Sequence, residues 1–191
     1  MTKNRLEGFS DGGLAVIVTI MVLEMKVPRG ADLDALAPLL PVFISYVLSF
    51  IFIGVYWNNH HHLLHAATHV TGRIMWANLH LLFWLSVMPF VTGWMGENDF
   101  AAVPVAVYGL VQLLAGFAFF ILARSLVAAD GDDSAIARAI GRDLKGKASL
   151  VVYVVAIPIA FFNPLAAFLL YVAVAIVWLV PDRRIERVLA G

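Results

Sequence analysis

Cysteine is absent, which excludes disulfides, thiolate metal sites and cysteine nucleophiles and leaves the redox compartment open. Charge is scarce. Only 14% of the 191 residues are charged and 62% are hydrophobic, whereas a soluble domain is about 25% charged. The composition is that of an integral membrane protein. Formal charge is zero with no basic patch, so nucleic acid is not an expected partner, since phosphate neutralisation needs clustered Lys and Arg. A cleaved signal is not expected either, because Arg5, Glu7 and Asp11 interrupt the N-terminal region and no small-residue cleavage site follows an apolar run.

Charge-free runs count the membrane crossings, each of which needs about 20 apolar residues. Residues 35–72, 74–96, 100–123 and 148–181 contain no Asp, Glu, Lys or Arg. The last run holds two shorter helices, because Asn163-Pro164 gives a turn that a helix does not continue through. With the first apolar segment this predicts six helices, over roughly 6–27, 35–65, 73–95, 101–127, 147–162 and 164–181, in one domain spanning 1–191. Loop charges fix the orientation. With both termini cytoplasmic, Lys3, Arg5, Arg73, Arg124, Arg138, Arg142, Lys145, Lys147, Arg183, Arg184 and Arg187 are inside, and only Lys26 and Arg29 are outside. Treating 148–181 as one bent helix would export the C-terminal arginines uncompensated. The inner loop "AADGDDSAIARAIGRDLKGK" mixes signs and reads as a solvated segment with a short helix over 134–145.

The first helix is anomalous. Only twelve residues separate Asp11 from Glu24, about 18 Å of the roughly 30 Å that a crossing requires. Such a helix is shielded by other helices, or its charged ends lie in water that reaches into the membrane. Both conditions describe a pore-lining helix. At helical spacing Gly12, Val16, Ile20 and Leu23, with Thr19 beside them, form one stripe. Ordinary aliphatic packing is the competing explanation.

The helix opens on Arg5-x-x-x-Phe9-Ser10-Asp11 and continues to "VTIMVLEMKVP"; the second apolar run ends in "YWNNHHHLLH". Together with six spans in about 190 residues, these motifs resemble the transmembrane protein 175 family, endolysosomal potassium channels and their prokaryotic relatives. The resemblance implies a homotetramer of single six-helix repeats around a central pore lined by helix 1. It also implies a constriction of apolar side chains at Val16, Ile20 and Leu23, with Thr19 as a polar layer, in place of a carbonyl-lined TVGYG loop, which this sequence lacks.

Helix 1 begins where helix 2 ends and helix 3 starts. Arg5, Phe9, Ser10 and Asp11 are therefore expected in one helix-packing network with Trp57, His61, His65, Asn78 and His80, where Ser, His, Trp and Asn donors keep Asp11 ionised. His61, His65 and His69 also fall at i, i+4, i+8, a spacing that lets imidazoles share a zinc. No carboxylate lies between 35 and 72 to complete a zinc hydrolase. Structural or pH-sensing roles, an inhibitory metal site and a catalytic metal or haem stay open. Glu24, at the outer end of helix 1, is either a cation-attracting pore entrance or an interfacial anchor.

The expectation is an all-α, homotetrameric, potassium-permeable channel of the cell membrane with modest preference over sodium, no cofactor and no enzymatic activity. A proton pathway or proton-coupled transporter through Asp11 and the histidines, and a haem- or metal-binding membrane enzyme, are the alternatives.

Overall fold

The structure is a computed structural model that describes residues 2–141 and 143–180. Arg142 and the Arg183, Arg184 and Arg187 cluster lie outside the described residues. The described chain is helical and contains no strand: α1 (Lys3–Leu23), a 3-10 helix (Leu33–Leu39), α2 (Leu40–Ala66), α3 (Gly72–Ser86), α4 (Met88–Glu97), α5 (Ala102–Asp130), α6 (Ala135–Ile140), α7 (Leu144–Ala160) and α8 (Pro164–Leu179). By length and composition, four segments can cross a membrane: 3–23, 33–66, 72–97 and 102–130. α8 is a shorter apolar helix.

Several ends differ from expectation, with proline and glycine as the recurring causes. α1 stops at Leu23 instead of 27, ahead of a loop in which Pro28 disfavours helical geometry at Val27. Pro38 and Pro41 divide the start of the second segment into a 3-10 turn and an α-helix, with Pro41 in the first helical turn, where no N–H is needed. The single helix expected over 73–95 is two, α3 and α4, joined at Val87. Pro89 has no N–H for the Leu85 carbonyl and its ring crowds that group. α5 runs on to Asp130 and is ended by Gly131 at φ +94°. α7 and α8 are separate helices. Asn163 accepts a hydrogen bond from Ala166 N at 3.1 Å and Pro164 opens α8.

Side-chain contacts between helix ends fix the relative directions. Lys3 Nζ donates to the carbonyls of His65 and Ala67, so α1 starts where α2 ends. Asp130, at the end of α5, accepts from Thr68 N and Oγ1 at 2.8 and 2.7 Å and so lies at that same end. Lys26 and Glu97 meet at 2.7 Å, bringing the loop after α1 to the end of α4; Glu97 accepts this hydrogen bond and its charge also raises the Lys26 pKa. Lys145 Nζ donates to Val180 O at 2.9 Å, bringing the start of α7 to the end of α8.

The interior is aliphatic and aromatic, with Leu81, Leu85, Met88, Met95, Tyr108, Leu122, Leu126 and Tyr171 fully buried. A polar seam runs through it. Ser49 Oγ lies 2.7 Å from Thr92 Oγ1 and 3.1 Å from the Tyr108 hydroxyl, and the Tyr171 hydroxyl donates to Val105 O at 3.2 Å. Pairing of this kind is required wherever water does not reach. Close approach of α8 to α5 depends on Gly109, since a Cβ there would run into the Tyr171 hydroxyl. Gly109→Ala is expected to destabilise the protein by about 1–3 kcal/mol. Gly93, whose Cβ would meet nothing within 4 Å, tolerates Ala; thermal unfolding of both variants in detergent measures the contrast.

Candidate pore helix and its polar anchorage

α1 has two unlike faces. Leu6, Ser10, Leu14, Ile17 and Met21 are buried against the rest of the chain, Ile17 and Met21 at 5% and 2% exposure. Phe9, Val16, Ile20 and Leu23 are exposed, Val16 at 56% and Leu23 at 74%, and Thr19 is exposed with them. The stripe Val16, Thr19, Ile20 and Leu23 therefore lies off the face that packs α1 against its own chain. Thr19 Oγ1 is turned back to Ala15 O at 2.9 Å. Glu24 follows the last turn and is exposed.

Three rungs join α1 to α2. Lys3 Nζ reaches His65 O at 3.1 Å, His61 Nδ1 lies 2.9 Å from Glu7 Oε1, and Trp57 Nε1 donates to Asp11 Oδ1 at 3.0 Å. The paired positions, 3 with 65, 7 with 61 and 11 with 57, step by four in opposite directions, as facing stripes of antiparallel helices do. On α2 the three side chains also stack, Trp57 on His61 at 6.2 Å and His61 on His65 at 6.1 Å between ring centroids.

Beneath the ladder lies a buried relay to α3. Ser10 Oγ donates its one hydrogen to Leu6 O at 2.9 Å and therefore accepts from Asn78 Nδ2, also at 2.9 Å. Asn78 thus turns its carbonyl oxygen to His60, and Nε2, 2.6 Å away, carries the proton of that contact. Ser10, Asn78 and His60 are each almost fully buried, and His60 Nδ1 has no partner among the described residues.

The geometry gathers Ser10, Asp11, Trp57, His61, His65 and Asn78 but not all of the expected network. Arg5 is exposed, with no ion pair among the described residues, and Phe9 is exposed. His80 pairs within its own helix, accepting from Trp84 Nε1 at 3.0 Å. Lys3, Glu7 and His60 complete the anchorage. The His61, His65, His69 face does not form, because α2 ends at Ala66 and Ala67 is extended. His69 instead lies 3.3 Å from Asp130 in the loop, and among the described residues no cluster of three His, Asp or Glu side chains is arranged to hold a metal.

The model for the family described as endosomal/lysosomal potassium channel TMEM175 matches residues 5–89, which contain the relay and two of the three rungs of the ladder. A protein named as a potassium channel in Chryseobacterium sp. (strain P1-3) is 50% identical over 187 residues, covering 98% of this chain and 97% of its own. The chain belongs to the TMEM175 family. Its fold superposes on the crystal structure of a lysosomal potassium-selective TMEM175 homolog from Chamaesiphon minutus with a TM-score of 0.81 and 26% identity, covering 92% of this chain and 95% of that one. The chicken (Gallus gallus) protein named endosomal/lysosomal proton channel TMEM175 is 31% identical over 101 residues, 47% of this chain and 20% of the larger protein.

Within this TMEM175 chain the relay and the exposed arginine predict opposite sensitivities. Asn78→Ala leaves the His60 N–H and the Ser10 lone pair buried without a partner and costs about 1–3 kcal/mol. Arg5→Ala leaves the unfolding of an isolated protomer within about 0.5 kcal/mol of wild type. Thermal unfolding in a detergent that keeps single chains apart measures both.

Proposed function

We propose that this TMEM175 family member is a potassium-permeable cation channel in which four copies surround an axis lined by α1. The observation that carries this reading is the bare apolar face of α1. Val16, Ile20 and Leu23 lie at helical spacing, exposed, on the helix whose uncharged stretch is too short to cross lipid alone. A face against neighbouring copies around a central axis meets both conditions. The names of the Chryseobacterium and Chamaesiphon relatives support potassium as the permeant ion.

The whole chain then acts as one six-helix domain in the cell membrane, with α1, α2, α3–α4, α5, α7 and α8 as its crossings. The helix-end contacts support this alternation. Lys3, Arg73, Arg124, Lys145 and Lys147 belong to the end marked by Thr68 and Asp130, whereas Lys26 and Arg29 belong to the end marked by Glu97. The positive-inside bias makes the first end cytoplasmic and places both termini there.

Rings of four Val16, Ile20 and Leu23 side chains, with Thr19 between them, exclude ions by dewetting until they widen enough for a partly hydrated cation. Potassium sheds water more readily than sodium, so discrimination is modest and needs no carbonyl filter and no bound cofactor. Glu24 at the outer mouth concentrates cations. Arg5, exposed and without an ion pair among the described residues, and Phe9, also exposed, would meet the neighbouring copy.

The name of the chicken relative favours a second reading in which protons also pass. A pH-sensitive dye in potassium-free vesicles separates proton flux from potassium flux. For the pore itself, Ile20→Ala or Leu23→Ala is expected to raise potassium flux into liposomes and lower the K+/Na+ ratio, and Ile20→Asn flattens selectivity further by keeping the ring wet. Ile17→Ala and Met21→Ala, on the packed face, instead cost about 1–3 kcal/mol of stability with little effect on ion preference. Equal effects from both faces overturn the pore assignment.

A further inference from the structure

A second site lies away from α1, in a partly open cavity between α2, α5, α7 and α8 near the cytoplasmic end proposed above. Its interior leaves about 60 Å³ for the centre of a water-sized group, room for a chain of about four such groups. The walls are rings: Phe52, Tyr56, Phe119, Phe120, Tyr153 and Trp178. One carboxylate, Asp143, stands among the lining residues, next to Gly146 at the start of α7.

The polar groups in this wall are under-used. The Tyr56 and Tyr153 hydroxyls make no hydrogen bond among the described residues, unlike those of Tyr108 and Tyr171, which are bonded in the core. Asn59 uses one of its two amide hydrogens on Val55 O at 2.8 Å, and its carbonyl oxygen has no donor among the described residues. Asp143 gives one oxygen to Gly146 N at 3.1 Å, and the other accepts no hydrogen bond among the described residues. Phe120 already attracts a cation on this helix, with the Arg124 guanidinium 5.5 Å from its ring centroid.

This donor set selects one ligand class. Aromatic faces present negative charge to a soft organic cation, and the carboxylate, hydroxyls and amide oxygen accept hydrogen bonds from an N–H. An anion would be repelled by Asp143. A hard divalent ion favours several carboxylate, carbonyl or water oxygens at once, and this wall of rings holds a single carboxylate. A neutral apolar guest would leave the polar groups buried and unpaired. We propose that this cavity is a binding site for a short primary alkylammonium ion, its ammonium head at Asp143 and its chain between the rings.

The cavity is tested with n-butylammonium as the cation and n-butanol as its neutral counterpart, titrated into the purified full-length protein in detergent by isothermal calorimetry and thermal shift. n-Butylammonium is expected to bind and raise the melting temperature, and n-butanol is not. Asp143→Asn keeps an oxygen for the Gly146 cap while removing the charge, and is expected to weaken binding about tenfold. Gly116→Leu fills the cavity from α5, where a Cβ would lie 3.0 Å from Leu150 Cδ2 and 3.7 Å from the Tyr56 hydroxyl, and is expected to abolish binding; Tyr153→Phe, nearly isosteric, weakens it if the leucine variant does not fold. Equal binding of the alcohol, full affinity in Asp143→Asn or in a folded Gly116→Leu, or no binding to the wild type overturns the proposal.

Discussion

A polar group in hydrocarbon must find its partner inside the protein, since no water is there to replace it. In α1 that constraint acts on the fully buried Ser10, and the more accessible Glu7 and Asp11 are paired alongside it. The helix carries Glu7, Ser10 and Asp11 on or beside the face that meets the rest of the chain. Each is met by a group that α2 or α3 supplies at the matching depth: His61, Asn78 and Trp57. Register comes with the pairing. A slide of α1 by one residue would break every rung of the ladder and strand Ser10, whereas an apolar interface could slip with little loss. The polar contacts therefore fix the rotation of the helix as well as its height. That rotation leaves Val16, Ile20 and Leu23 on the side away from the protomer.

The relay through Ser10, Asn78 and His60 makes this fixing directional. Each member has one chemically permitted role, set by the Leu6 carbonyl at its start. A hydroxyl with one hydrogen, an amide with distinct ends and an imidazole with one N–H pass that constraint on in sequence. Hydrophobic burial holds α1 in the bundle, with Leu6, Leu14, Ile17 and Met21 against its neighbours. The polar relay selects one orientation among those that burial alone would allow.

Much of the architecture was legible in the sequence because a membrane removes charge from its spans. Uncharged runs located the long helices, Asn163-Pro164 marked the α7–α8 turn, and the RxxxFSD motif pointed to the family. The break at Val87 was harder to read, since residues 74–96 are uniformly uncharged and only the backbone conflict of Pro89 with Leu85 divides them. His69 was misplaced for a related reason: helical periodicity was carried past Ala66, where the chain becomes extended. His80 sits at the expected depth but on the wrong face, so it finds Trp84 in its own helix. Lys3 enters the sequence reading only through the loop-charge orientation, and Glu7 only as an interruption of the N-terminal region. Their spacing of four, matched by the spacing of Trp57, His61 and His65 on an antiparallel neighbour, was the signal that could have found them.

The brevity of the uncharged stretch in α1 also has an electrical meaning. Field lines concentrate where the dielectric is low, and water reaching Asp11 and Glu24 carries almost none of the potential drop. With α1 lining the pore as proposed, the voltage across a bilayer of roughly 30 Å falls instead over about 18 Å, a field about 1.7 times steeper. A monovalent ion exchanges about 2.3 kcal/mol with each 100 mV of membrane potential. In such a pore that work is delivered within about three turns of one helix, at the level of the proposed aliphatic rings.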